Sequence, residues 1–332
     1  MVWAGPPTPG LAAPVKPTLE QIQLAEALIR PLIPETPAFR WPLLQEPCGG
    51  GLWIKHENHT PVGAFKIRGG LVYLDELMRR EPELPGVIAA STGNHGQSIA
   101  FAARRRGIRA VIVVPQGNNP EKNRAIRSLG ADLIEHGREF QEALEFSRHL
   151  AQREGLHPVP SFHPWLVRGV ATYGLELFRQ VPDLDAVFVP IGLGSGFCGL
   201  AAAREALGLR VRLVGVVSAQ APAYALSFRA KRLLTQPSAT RVAEGVACST
   251  PHPGALESIL GEASDVIEVS DGETLEAMRE LLQGTHNLVE GAGALAYAAL
   301  RKQRAAWEGA KVACVLSGGN VSLELLHAAL TS

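Results

Sequence analysis

Charge is scarce in this chain, and it is balanced. Only 19% of the 332 residues are charged, and 32 basic side chains stand against 32 acidic ones. A net charge of zero supplies no basic field for a nucleic acid or an anionic membrane surface. The basic run at Arg104, Arg105 and Arg106 is short and reads as a solvated helix end. Cysteine is also sparse. Cys48, Cys198, Cys248 and Cys314 lie far apart with no CxxC pair, which argues against a zinc knuckle or disulfide framework and fits a reducing compartment. No apolar run reaches the ~18 residues that crossing a bilayer requires. The N-terminus, MVWAGPPTPGLAAPVKP, has no basic segment leading into an apolar stretch. Residues 1–16 therefore read as a mobile Pro/Gly-rich tail rather than a signal peptide, and the cytoplasm is the expected location.

What the chain does have is apolar material, 46% of its residues, at a length that suits two lobes or one large α/β unit. Ile22, Leu24, Ala25, Leu28 and Ile29 recur at helical spacing over 18–33, with Thr18 as N-cap and Pro31 and Pro34 limiting the end. GLWIKHE (51–57) is a short strand. Strands and helices then alternate: 86–91, 110–115 and 131–137 read as strands, and 96–107, 119–130 and 139–155 as helices. After a turn-rich stretch near Pro158 to Pro164 the pattern resumes, with helices at 171–180 and 199–208 and strands at 186–192 and 212–218. A strand in KVACVLSGGN (311–320) and a closing helix follow. Apolar β-branched runs alternating with helices of this size predict a parallel sheet with helices on its faces.

In such sheets ligands bind beyond the carboxyl ends of the strands. Three polar, glycine-rich loops fall there: STGNHGQ (91–97), GLGSG (192–196) and SGGN (317–320). GLGSG joins a strand to a helix, so its backbone N–H groups and the helix N-terminus suit a phosphate. A plain strand-to-helix turn is the alternative. Gly194, Gly196 and Gly199 also spell GxGxxG, but the next strand ends in Ser218, Ala219 and Gln220 with no acid for a ribose, which favours a single phosphate over a dinucleotide. STGNHGQ can hold a carboxylate at a helix start, or Ser91 or Thr92 can simply cap that helix. His95 fits a structural hydrogen bond better than a metal ligand or general base. Lys66 lies among Val62, Gly63, Ala64, Phe65 and Ile67. Such a lysine is often surface, but partial desolvation makes it a nucleophile toward carbonyls. His56 and His59 are too close together for the HExxH zinc pattern.

A nucleophilic lysine, a phosphate cup, a carboxylate loop and a late Ser-Gly-Gly-Asn turn describe a pyridoxal 5′-phosphate (PLP) site. In this order the chain resembles the threonine/serine dehydratases, fold-type II PLP enzymes akin to the tryptophan synthase β chain, from about Thr36 to Asn320. The carrying motifs are Ala64-Phe65-Lys66-Ile67-Arg68-Gly69, Ser91 to Gln97, Gly192 to Gly196 and Ser317 to Asn320. The resemblance implies an α/β fold of two open, twisted, mainly parallel sheets with helices on both faces and the cofactor between two domains. Residues 17–85 with 165–332 would form the large PLP-binding domain, and 86–164 the small domain carrying the carboxylate loop. It implies that Lys66 carries the cofactor and removes the substrate Cα proton, and that Phe65 packs near the ring. Asn94 would bond the 3′-oxygen, and Gly192, Leu193, Gly194, Ser195 and Gly196 would hold the phosphate. Ser317 would meet the pyridine nitrogen, and Glu290 would stand close to the cofactor. Ser91, Thr92, Gly93, Asn94 and His95 would hold the substrate carboxylate.

The implied activity is β-elimination on a hydroxy amino acid such as L-threonine or L-serine, or a bulkier one such as phenylserine, giving a 2-oxo acid and ammonia. A hydroxyaspartate substrate would need another cation, for which Arg168 is the candidate. Ser317, unlike an acid, leaves the pyridine nitrogen free to be unprotonated, which favours elimination. Thr92, where racemases of the family often have Ser, weakens racemisation. VVSAQAPAYA after the strand 212–218 lacks the acids that hold a divalent cation in relatives, so no metal is expected there. Ala243-Glu244-Gly245 stands where relatives have Ala-Asp-Gly, with a longer acid near the substrate side. A homo-oligomer, dimer or tetramer, is expected. The alternatives are a β-replacement enzyme or racemase of the same fold, a non-catalytic PLP- or metabolite-binding protein and, distantly, a nicotinamide oxidoreductase.

Overall fold

The computed structural model describes residues 16–45 and 51–332. Cys48 and all of the expected tail but Lys16 lie outside the described residues, and Lys16 pairs with Glu205 (2.7 Å) and Glu262 (2.5 Å). The chain runs α1 (Leu19–Ile29), β1 (Ala38–Phe39), β2 (Leu52–His56), α2 (Lys66–Arg80), β3 (Gly86–Ala90), α3 (Asn94–Arg106), β4 (Arg109–Val114) and α4 (Pro120–Ser128). Next come β5 (Asp132–Glu135), α5 (Phe140–Glu154), β6 (His157–Pro158), α6 (Pro164–Gln180), β7 (Ala186–Pro190), α7 (Ser195–Ala206), β8 (Arg212–Ser218) and α8 (Ala223–Ala230). It ends with α9 (Pro253–Glu262), β9 (Ala263–Val269), α10 (Asp271–Thr285), α11 (Gly291–Lys302), β10 (Val312–Leu316) and α12 (Leu323–Thr331).

These strands form two sheets. The larger has the order β1-β2-β10-β7-β8-β9 and the smaller β5-β4-β3-β6. All neighbours pair in parallel except β1 and β2. The α/β class and the two mainly parallel sheets agree with the sequence expectation. Central strands β3, β7 and β10 are buried along their whole length, as expected where helices cover both faces. Thr18 caps α1 through a reciprocal capping box with Gln21.

Helix α6 begins at Pro164, seven residues before the expected start at 171. His163 caps it, its ring accepting from Trp165 N–H at 3.2 Å. Histidine is a rare cap, and Gly169 interrupts the helical pattern. The glycine has a packing reason: a Cβ there would lie 2.3 Å from the Arg68 carbonyl oxygen. Its absence lets α6 and α2 approach closely.

That contact surrounds a buried ionic network. Arg68, in the first turn of α2, grips Glu57 with Nε (2.7 Å) and Nη2 (3.1 Å). It donates to Glu176 of α6 at 3.0 and 2.8 Å, and to the hydroxyls of Thr172 and Thr36 at 3.0 and 3.2 Å. Lys55 of β2 completes the set, bonding Glu176 at 3.0 Å and the Thr36 carbonyl at 2.6 Å. Lys55, Glu57, Arg68 and Glu176 are all essentially inaccessible. Within this buried set two cations offset two anions, the half-buried Arg30 adds a third cation 3.2 Å from Glu176, and every charge is hydrogen-bonded, the condition under which buried ions are tolerated. Burial alone would raise the Glu176 carboxyl, but Arg68 and Lys55 outweigh it and hold it well below the usual carboxylate range. Arg68→Met should leave the buried Glu57 carboxylate without its bidentate partner, and Glu176 with only Lys55 and the half-buried Arg30, 3.2 Å away. We expect a loss of about 3–5 kcal/mol, read as a lower denaturant midpoint; an unchanged midpoint would contradict the role given to the network.

Candidate active site

The strand ends bring the glycine-rich loops together. Residues 62–65 run antiparallel to the turn after β10. Phe65 N–H donates to the Ser317 carbonyl (3.1 Å), Gly319 N–H to the Gly63 carbonyl (2.9 Å) and Asn320 Nδ2 to the Val62 carbonyl (2.8 Å). Lys66, the first residue of α2, thus starts beside Ser317. Its carbonyl accepts from Ser98 of α3 at 2.6 Å, and its Nζ lies 4.9 Å from the Phe65 ring centre. The Phe65 ring rests edge-on against Tyr173 and borders Gly196 in the loop after β7.

That loop is shaped from behind by two phenols. Tyr224 donates to the Leu193 carbonyl at 2.9 Å and Tyr173 to the Gly196 carbonyl at 2.8 Å. With these carbonyls engaged and α7 starting at Ser195, the first-turn N–H groups of the helix are the ones left for a ligand. Gly194 has φ of 105°, and a Cβ there would meet the Ala255 Cβ at 2.6 Å. Only glycine serves at that point.

The loop after β3 leads into α3. Ser91 Oγ accepts from Gly96 N–H (2.9 Å) and Gly93 N–H (3.4 Å), so its hydroxyl shapes the loop from inside. Asn94 donates to Glu290 Oε1 at 2.7 Å and accepts from Asn320 at 2.8 Å, linking the small sheet's loop to the large sheet's. Glu290, at the start of α11, donates its N–H to the Gly318 carbonyl at 3.2 Å. His95 is buried, with a backbone hydrogen bond at Val159, and its Nε2 finds no partner among the described residues.

The electrostatics follow from this enclosure. Burial lowers the Lys66 ammonium to about 8, against the opposing field of Glu290. Burial raises the Glu290 carboxyl to about 7, although Lys122, Asn94 and Lys66 pull it down. Burial, then the positive charge of Lys66, lowers His95 to about 3, so this imidazole is neutral. A lysine that is half deprotonated near pH 8 is a competent nucleophile and base.

Residues 29–318 match the model of the family described as pyridoxal-phosphate dependent enzyme. The chain belongs to this family. It is similar to the L-threonine ammonia-lyase of Geobacter sulfurreducens, 34% identical over 92% of this chain and 76% of that one. It is also similar to the catabolic L-threonine dehydratase of Escherichia coli, 32% identical over 84% of this chain and 85% of that one. Among solved structures, the processed form of threonine deaminase isoform 2 from Solanum lycopersicum aligns with a TM-score of 0.86 at 27% identity, covering 96% of this chain and 95% of that one. Maize serine racemase aligns with a TM-score of 0.88 at 28% identity, covering 95% and 97%.

The residues of this pyridoxal-phosphate dependent enzyme fit the cofactor. The loop after β7 presents the first-turn N–H groups of α7, Lys66 is desolvated, and Ser317 follows β10 with little exposure. Arg168 is a correction to the sequence reading. Its guanidinium pairs with Glu76 of α2 at 2.7 Å, among Arg79 and Arg80, so its charge serves the α2–α6 contact and not a substrate. Sequence reasoning passed over Tyr173 and Glu176, although a tyrosine and an acid three residues apart within the apolar stretch 169–178 of α6 signal an inward polar task. Tyr224 and Lys122 left no local sign.

Two outcomes follow from this geometry. Uptake of PLP by apoprotein needs a neutral Lys66, so its rate should climb with pH through a midpoint near 8, below the ordinary 10.5. Glu290→Gln removes a charge that favours the ammonium and should lower that midpoint; a midpoint near the ordinary value would mean that Lys66 is solvated. Gly194→Ala combines positive φ with a clash, so PLP should bind more weakly by about 1–3 kcal/mol, measured by titration.

Proposed function

We propose that the protein is a PLP-dependent ammonia-lyase that eliminates the β-hydroxyl of a small hydroxy amino acid, by default L-threonine or L-serine. The products are a 2-oxo acid and ammonia. The observation that carries this reading is the place of Lys66. A lysine with a depressed pKa stands where a phosphate-type loop, a carboxylate-type loop and the Ser317 turn converge. The names of the similar ammonia-lyase and dehydratase support the substrate class.

Each side chain has one task in this reading. The backbone of Gly192 to Gly196 holds the cofactor phosphate. The N–H groups of residues 91–95, at the start of α3, hold the substrate carboxylate. Asn94 would bond the cofactor's 3′-oxygen, with Phe65 and Glu290 the residues beside it. The Ser317 hydroxyl would be the partner of its pyridine nitrogen. When bound, PLP supplies the electron sink that acidifies the substrate Cα–H. Lys66, as a neutral amine, takes that proton. The neutral His95 adds no charge beside the amine. In the same reading residues 86–164 form the small domain around the four-stranded sheet, and 17–85 with 165–332 form the large one. No described helix is long and apolar enough to cross a membrane. We place the protein in the cytoplasm as a homo-oligomer, a dimer or tetramer.

A panel of L- and D-β-hydroxy amino acids, assayed for 2-oxo acid, tests the reading. L-Threonine or L-serine should turn over, and Lys66→Ala should lose roughly 10³-fold or more. Full turnover by the variant, or no 2-oxo acid from any member of the panel, would sink it. Formation of D-serine in place of 2-oxo acid would turn the assignment to racemisation, and sulfide incorporation from O-acetylserine to β-replacement.

A further inference from the structure

Lys122 and Glu244 face each other across the cleft. Lys122 lies in α4, on the layer of the four-stranded sheet. Glu244 opens the short turn Glu244–Val246, and Val246 is packed into the core of the six-stranded sheet. The next residue, Gly245, puts its carbonyl oxygen 2.7 Å from where a side chain on Gly192 would begin. The ammonium and carboxylate meet at 2.5 Å, the lysine 18% exposed and the acid 59%. The stem of Lys122 lies over Gly93, with Cδ 3.8 Å from the position of a Cβ there. A cation thus rests on the loop assigned to the substrate carboxylate, and one acid reaching over from the other layer neutralises it. Both charges also act on Glu290, in opposite senses, so the pair lies within electrostatic reach of the site.

We propose that the Lys122–Glu244 pair sets the side-chain charge that the site accepts. With the pair made, the wall above residues 91–95 carries no net charge and suits an uncharged substrate side chain. Without Glu244, Lys122 is a free cation at that wall and takes a second carboxylate. Without Lys122, Glu244 takes an ammonium. Selection of this kind works by leaving the wrong charge without a partner. The proposal rests on the ammonia-lyase reading for the direction in which the substrate lies.

The test uses holoenzyme and amino acids that lack a β-hydroxyl, so that binding is measured without turnover. Dissociation constants for L-aspartate, L-2-aminobutyrate and L-2,4-diaminobutyrate are determined by calorimetry for wild type, Glu244→Gln, Lys122→Gln and the double variant. Glu244→Gln should shift preference toward L-aspartate over L-2-aminobutyrate by roughly tenfold. The shift should shrink with added salt and vanish in the double variant. Lys122→Gln should shift preference toward L-2,4-diaminobutyrate. Each is a gain for a new ligand, which an unfolded variant cannot give. In parallel, kcat/KM for L-threonine and L-threo-3-hydroxyaspartate should move in the same sense for Glu244→Gln. Unchanged ligand ratios in both single variants, or equal weakening of all three ligands, would overturn the proposal and leave the pair as a tie between layers. The binding shifts without 2-oxo acid from any hydroxy amino acid would instead overturn the ammonia-lyase reading and leave the pair's role standing.

Discussion

The bidentate grip of Arg68 on Glu57, with Glu176 and Lys55 closing the set, fixes where Lys66 stands. Arg68 is two residues beyond Lys66 in the same helical turn. Its partners come from β2's end, 11 residues before it, and from α6, 108 residues beyond it, so near and remote elements converge on one guanidinium. Buried charges tolerate little displacement, because every lost hydrogen bond leaves an ion in a poorly polarisable medium. The first turn of α2 is therefore held in a definite position. Gly169 allows it, since any side chain there would push α6 off the Arg68 carbonyl. The network performs no chemistry. It makes the location of Lys66 a property of the core rather than of a loop.

Around that fixed point the site is a balance of opposed charges in a desolvated cleft. Lys66 and Glu290 each lose solvation and each moderates the other's shift, which brings the lysine near 8 and the acid near 7. Neither is a full ion pair partner. The Asn94 amide stands between the two sheets, donating to Glu290 and accepting from Asn320. Lys122 and Glu244 add a second crossing of the same cleft, nearer solvent. Across the cleft itself the contacts are these polar ones, while α1 and α6 contribute apolar side chains to the cores of both sheets.

Much of this was legible locally. The alternation from Gly86 to Glu154 could be read because each apolar run is short, β-branched and bounded by turn residues. The three glycine-rich loops could be read because a sharp turn from strand to helix imposes composition as well as position. The sequence reading did not assign α2, α8, α9, β9, α10 or α11. Helix α10 carried a readable sign in its capping box, Ser270 with Glu273. Helix α11 did not: GAGALAYAALRK is small and apolar on all sides because it is buried on all sides, and periodicity disappears in such a helix. The Arg168 expectation failed for a related reason. A cation's position along the chain says nothing about which acid reaches it first, and Glu76 does so from α2.

By itself the sequence determined the α/β class, the parallel strands and the glycine-rich composition of the three loops at their carboxyl ends. These depend on local composition and on spacing along one segment. Tertiary structure alone decided that the loops share one cleft, that Lys66 is desolvated and faces Glu290, and that Arg68 is structural while Arg168 is occupied elsewhere. It also decided that Glu244 reaches Lys122 over a separation of 122 residues. Burial and charge pairing are properties of the space around a side chain, and that space is filled by residues remote in the chain.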